Sequence, residues 1–129
     1  MIDLTMIGTL TICSSSKFYG TAQCIAKELA DAGIVVYTPR FDFNEEVIEV
    51  TKDDKVELTH EFLGKIHRSD AIYVIDHDGY TGRSVCIEIG YACALGKAVL
   101  LSETPAENAV QALTSEVVSV GDITKRIRP

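Results

Sequence analysis

The sequence predicts an α/β domain, a single doubly wound parallel sheet of about five strands with helices on both faces. Three observations predict it. Short apolar runs alternate with longer amphipathic ones, the first of strand length and the second of helix length. Nearly every run is closed by a glycine, a proline or a polar cluster. The 129 residues and 47% apolar content suit one ordinary globular domain, taken here as residues 1–129.

Thr5 to Cys13, "TMIGTLTIC", reads as the first strand and ends in Ser14, Ser15 and Ser16. A helix is expected from about Phe18 to Ala32, with Ile25, Leu29 and Ala32 at helical spacing and Gly33 as its stop. "IVVYTP" is a short strand closed by Pro39, and the acidic segment Asp42 to Asp54 reads as loop with room for a helical turn. The second helix should span about Asp53 to Arg68, with Val56, Leu63 and Ile66 inward. "AIYVID" is the third strand, "HDGYTG" a turn, and Thr81 to Lys97 contains the third helix, stopped at Gly96. "AVLLS" is the fourth strand, Pro105 to Leu113 a fourth helix and "EVVSV" a last short strand. The tail "KRIRP" reads as frayed, or as lying on an acidic neighbour. This alternation is flavodoxin/Rossmann-like. Such folds bind ligands beyond the carboxyl ends of their strands, near the switch in strand order. That rule selects Ser14–Lys17, Pro39–Glu46 and Asp76–Ser84.

A formal charge of −7 argues against a nucleic-acid polymer as partner, since phosphate-rich partners need a basic surface. The start "MIDLTMIGTLTIC" carries Asp3 in place of a basic segment, so no signal peptide is expected. No apolar run approaches the ~20 residues that cross a bilayer, so no membrane partner is expected either. Cys13, Cys24, Cys86 and Cys93 lack CxxC or zinc-type spacing. They read as buried thiols of a cytoplasmic protein. His67 and His77 have no partner at metal-ligand spacing, and no metal is expected.

One acid stands out. Glu88 falls within "TGRSVCIEIGYACALGK", on the flank of the face made by Val85, Ile89, Ala92 and Gly96. Partial desolvation there raises its pKa and the helix dipole lowers it. The expected product is an ionised, poorly hydrated carboxylate, fit to attack as a nucleophile or to stabilise a cation. The other reading is a boundary glutamate paired with Lys97 or Arg83. In the preceding loop Gly79 and Gly82 permit close backbone approach, and Tyr80 offers a ring or a hydroxyl. Arg83, Ser84 and the helix start could hold an anion. Ser14, Ser15, Ser16, Lys17 and Phe18 form a second loop, either a 5′-phosphate cradle or a plain N-cap. Arg40, after the second strand, is open to either ligand binding or solvation.

With these residues in place, "SDAIYVIDHDGYTGRSVCIEIGYACALGKAVLL" resembles the core of the nucleoside 2-deoxyribosyltransferase-like superfamily, which includes deoxynucleoside 5′-monophosphate N-glycosidases. The matching positions are Asp70, the strand 71–75, Gly79 and Gly82, then Glu88, Gly90, Ala92, Gly96 and Lys97. "LTICSSSKF" and "GIVVYTPRF" resemble the family's first two strands and their loops. The resemblance implies a glutamate nucleophile at the sugar C1′, here Glu88, acting on a (deoxy)nucleoside or nucleoside 5′-monophosphate. It also implies that no cofactor is needed, and a homo-oligomer, dimer or higher. Two positions depart from the pattern: Phe62 replaces an aspartate that handles the base, and Thr11 replaces a tyrosine. Asp76, Asp78 and Glu61 are then the acids available to assist; Asp76 and Asp78 read equally as a solvated pair capping the turn. A non-catalytic nucleotide-binding or sensing module of the same fold is the alternative.

Overall fold

The computed structural model describes residues 2–129. Ten elements alternate along the chain: β1 (Thr9–Ser14), α1 (Tyr19–Asp31), β2 (Val35–Tyr37), α2 (Lys52–His67), β3 (Ala71–Ile75), α3 (Arg83–Ala94), β4 (Ala98–Leu101), α4 (Asn108–Leu113), β5 (Glu116–Val117) and α5 (Ile123–Ile127). The five strands are parallel, in the order β2-β1-β3-β4-β5. Order reverses between β1 and β3, which pair from Leu10↔Ala71 to Ser14↔Ile75. That is the switch point where a doubly wound sheet opens a crevice.

Side chains alternate along each strand and divide the core in two. Leu10, Ile12, Tyr73 and Leu100 pack against Ile25 and Leu29 of α1 and Ile123 and Ile127 of α5. Cys13, Ile72, Val74, Val99 and Leu101 pack on the opposite face with Phe62 and Ile66 of α2, Val85, Ile89 and Ala92 of α3, and Val110 of α4. Both faces are therefore covered, as the alternating pattern requires. Thr51 caps α2 in a reciprocal box with Asp54. Gly33 and Gly96 end α1 and α3 in left-handed conformations.

Several boundaries differ from the sequence expectation. β1 begins at Thr9 because Asp3 accepts from both the amide and the hydroxyl of Thr5, at 3.0 and 2.7 Å, which closes a local turn. Helix α1 starts one residue late, after a 3-10 turn over Ser16–Phe18. Val56 is half exposed, and Phe62 with Ile66 makes the inward stripe of α2. Helix α4 begins at Asn108, and β5 shrinks to two residues. The tail is ordered as α5, with Ile127 fully buried and Arg126 paired with Glu116. An acidic neighbour thus holds it. The cysteine expectation also needs correction: all four thiols are free, but only Cys13 is buried. Among the described residues, no helix is long and apolar enough to cross a membrane.

Candidate active site

A cleft of about 940 Å³ opens at the carboxyl ends of β1, β2 and β3. Its walls are Ser14–Ser16, the loop after β2 (Pro39, Arg40, Phe43, Glu45), one side of α2, and the continuous run from Gly79 to Glu88. Ala106 and Glu107 complete the rim. All three loops selected by the switch-point rule meet here.

The run from Gly79 to Gly82 is shaped by close contact. Gly79 has φ +82°, and a Cβ there would lie 2.8 Å from the Cβ of Ala106. Gly82, at φ +105°, stands at the head of α3, and no side chain caps that helix. The first amides of α3 therefore meet the cleft without an internal acceptor, beside Arg83 and Ser84. Thr81 is buried with its hydroxyl unpartnered among the described residues.

Glu88 lies on the second turn of α3 and is half-buried, with part of its surface in the cleft. Burial pushes its carboxyl from 4.5 up to about 8, against smaller opposing effects of the nearby Cys13 thiol and the Lys55 ammonium. Desolvation thus outweighs the helix dipole, and the balance shifts the expected ionised carboxylate toward its protonated form. Tyr19 faces the same group. Burial first, then the charges of Glu88 and Glu45, push its hydroxyl up to about 12. Lys55 is tied to Glu45 at 2.8 Å. The two alternative partners of Glu88 are engaged elsewhere or free: Lys97 donates to the Ser69 carbonyl at 2.6 Å, and Arg83 forms no ion pair among the described residues.

Other expected site residues divide into two groups. Ser14, Ser15, Ser16, Arg40, Glu61, Gly79, Tyr80, Gly82, Arg83 and Ser84 all line the cleft. Glu61 stands between two cations, 3.4 Å from the Lys65 Nζ and 3.9 Å from Arg40. Lys17, Phe18, Asp76 and Asp78 do not line it. The Lys17 ammonium sits 4.6 Å from the Tyr80 ring centre, and Phe18 meets the His77 and Tyr80 rings edge-on at 5.9 Å. Both brace the wall from behind. Asp76 is buried, and one of its oxygens accepts from the Ser102 hydroxyl and the Glu103 amide. Burial raises its pKa, yet the group is directed into the turn. Asp78 is exposed at φ +50° beside His77. Neither acid lines the ligand space that the other expected residues enclose. His77, Asp78 and Glu103 form an exposed cluster of potential metal ligands, but its contacts at 3.0 and 3.4 Å pair the three with one another.

Sequence reasoning missed Tyr19, Phe43 and Lys55. Lys55, Thr59 and Phe62 recur at helical spacing and mark the cleft side of α2, a signal that was available. The departures look different in place. Phe62 is a cleft wall that is also core, whereas Thr11 is fully buried against the Ser69 hydroxyl, outside the cleft.

No protein-family model and no curated protein matches the sequence. Solved structures do match. A 2-deoxyribosyltransferase from the psychrotolerant bacterium Bacillus psychrosaccharolyticus superposes with a TM-score of 0.63 at 22% identity, over 88% of this chain and 90% of that one. The CMP N-glycosidase BcmB of Clostridium botulinum gives 0.58 at 12% identity, over 92% and 97%. A 2-desoxiribosyltransferase from Leishmania mexicana gives 0.51 at 18%, over 74% and 65%. The chain has the fold of these proteins, as the sequence resemblance implies.

Proposed function

We propose that this chain cleaves or transfers at the N-glycosidic bond of a (deoxy)nucleoside or nucleoside 5′-monophosphate, with Glu88 as nucleophile. One observation carries the reading: a half-buried carboxyl, its pKa raised by burial, lines a cleft at the sheet's switch point that is large enough to admit a nucleotide. Shared fold with deoxyribosyltransferases and a nucleotide N-glycosidase supports the reaction class.

Chemically, the ionised Glu88 oxygen forms a bond to C1′ as the C1′–N bond breaks. The bond's electron pair leaves with the base, which takes up a proton or a hydrogen bond as it departs. The oxocarbenium-like transition state is stabilised by the carboxylate that then traps it. Water or a second base attacks C1′ and releases Glu88. A poorly hydrated carboxylate suits both roles, since it loses little solvation on approaching the sugar. Of the three acids considered for the base, Glu61 is the one that lines the cleft, which supports an assisting role for it. Ser14–Ser16, Ser84, Arg83 and the uncapped start of α3 suit a 5′-phosphate. Self-association belongs to the same reading, because Ile87 and Leu95 of α3 and Leu113 of α4 are exposed apolar side chains.

Purified protein incubated with a panel of deoxynucleosides and their monophosphates, followed by chromatography for free base, tests the reading. Release should vanish in Glu88→Ala and persist in Cys93→Ala, a change on the exposed side of α3. The second reading, a binding module without turnover, draws on Phe62 standing where an acid would handle the base. Ligand binding with no release, even with an acceptor base present, would support it.

A further inference from the structure

The two ends of the cleft are built differently. The uncapped start of α3, with Gly82, Arg83 and Ser84, follows β3 on one side of β1, and Glu88 comes later on the same helix. The loop after β2 stands on the other side of β1, and α2 completes that end. A nucleotide with its phosphate at the start of α3 and C1′ at Glu88 therefore extends its base toward Phe43, Glu61, Phe62 and Lys65. Phe43 and Phe62 each carry a cation over the ring, Arg40 at 5.1 Å and Lys65 at 5.9 Å from the ring centres.

Two charged groups stand side by side at this end. The Lys65 ammonium lies 3.4 Å from Glu61 Oε1 and donates to the Thr38 carbonyl at 2.8 Å. It is the deeper of the two, its side chain 17% exposed against 41% for Glu61. The Thr38 carbonyl fixes the ammonium, and a third N–H remains for a ligand. A donor beside an acceptor matches the lactam edge of a base, in which a carbonyl oxygen adjoins a ring N–H.

We propose that Lys65 determines base specificity, its ammonium taking the exocyclic oxygen of a lactam base (the class of hypoxanthine, guanine, uracil and thymine) while Glu61 accepts from the adjoining ring N–H. The inference rests on the Glu88 reading of the site. The exocyclic atom projects furthest from the ring and so reaches the deeper group. An amino base in the same pose turns its NH2 toward the ammonium and a ring lone pair toward the carboxylate, leaving both groups without partners. The same ammonium serves departure. As the C1′–N bond breaks, its electron pair passes through the lactam ring onto that oxygen, where the cation stabilises it. The proton released when water or an acceptor base attacks C1′ then neutralises the departed base. A base that leaves in this way needs no acid at position 62.

Deoxyinosine and deoxyadenosine differ along this edge alone, as do deoxyuridine and deoxycytidine. Base release from each pair is compared in the parent, Lys65→Met and Lys65→Arg. In the parent, kcat/KM for the oxo member should exceed that of the amino member by ~10²-fold or more. Lys65→Met keeps an unbranched stem against Phe62. It should lower the oxo member by about 10²-fold and leave the amino member within ~3-fold, whereas Lys65→Arg keeps the charge and part of the preference. Should Lys65→Met fail to fold, Lys65→Gln, neutral but able to donate to the Thr38 carbonyl, takes its place. A parent that takes the amino member equally well overturns the proposal. So does a Lys65 variant that slows both members alike, the mark of a structural role. Calorimetry of the free bases on Glu88→Gln needs no turnover. Hypoxanthine should bind at least ~10-fold more tightly than adenine, and adding Lys65→Met should abolish the difference. Equal binding overturns the Lys65 proposal, whereas full activity of Glu88→Gln overturns the nucleophile reading, so the two failures are distinguishable.

Discussion

The two ends of the sheet treat a carboxylate in opposite ways. At the amino end, Asp70 accepts from the amides of Gly8 and Thr9 at 2.9 and 3.0 Å, and these bonds lower its pKa. Beside it Lys97 ties the start of β4 to the Ser69 carbonyl. At the carboxyl end, Glu88 has burial and an open cleft, and its pKa rises to about 8. The first acid is satisfied and holds the strands together. The second is undersatisfied, which costs stability and leaves reactivity. Within one resemblance motif, Asp70 and Lys97 thus act as scaffold, and Glu88 is the group we propose as reactive.

The largest effect that would sharpen this contrast belongs to Glu88→Gln. Base release should fall by ~10³-fold or more, because a neutral amide cannot form the glycosyl ester. The same variant should be more stable than the parent in alkaline solution. Between the ordinary value of 4.5 and the folded value of about 8, the folded protein binds more protons at Glu88 than the unfolded chain does. Stability contributed there is present below 4.5 and lost as pH rises through the folded value. Relief of this penalty at pH 8 is on the order of 1–3 kcal/mol after allowance for partial exposure, read from urea unfolding of both proteins.

Asp70→Ala is the converse. Losing both amide acceptor bonds should cost ~1–2 kcal/mol, limited because the carboxylate is exposed, with base release per folded molecule unchanged. The pH sign is reversed as well. Asp70's contribution is present above the unfolded value near 3.8 and is lost as pH falls through the lowered folded one. A stability gain in Asp70→Ala would break the contrast. The smallest effect is at the cleft's outer turn: Asp78→Gly relieves the left-handed conformation at φ +50°. A stabilisation of a few tenths of a kcal/mol is expected, with activity retained, since Asp78 stands outside the cleft.

Much of this was legible in the chain. Strand and helix alternation, the glycine stops and the three loops at the strand ends all follow from local pattern. Glu88 was legible as a carboxylate on the flank of an apolar face. Its charge state was not, because burial and the helix dipole act in opposite directions and only the surrounding packing sets their balance. Asp76 illustrates a second gap. A strand-terminal acid can face the ligand or turn into the loop, and the Ser102 hydroxyl and Glu103 amide that decide this come 26 and 27 residues later. Val56 was misplaced for a related reason: α2 leans its Phe62 stripe on the sheet, and its first turns stand at the rim of the cleft.

Stereochemistry at the anomeric carbon tests the double displacement through Glu88 most directly. With a β-deoxynucleoside or its monophosphate as donor and methanol as acceptor, proton NMR of the first-formed methyl glycoside reports how many times C1′ has been inverted. The β-anomer, formed by the parent protein and not by Glu88→Gln, is the predicted result. The α-anomer, or β-glycoside formed equally well by Glu88→Gln, would contradict it.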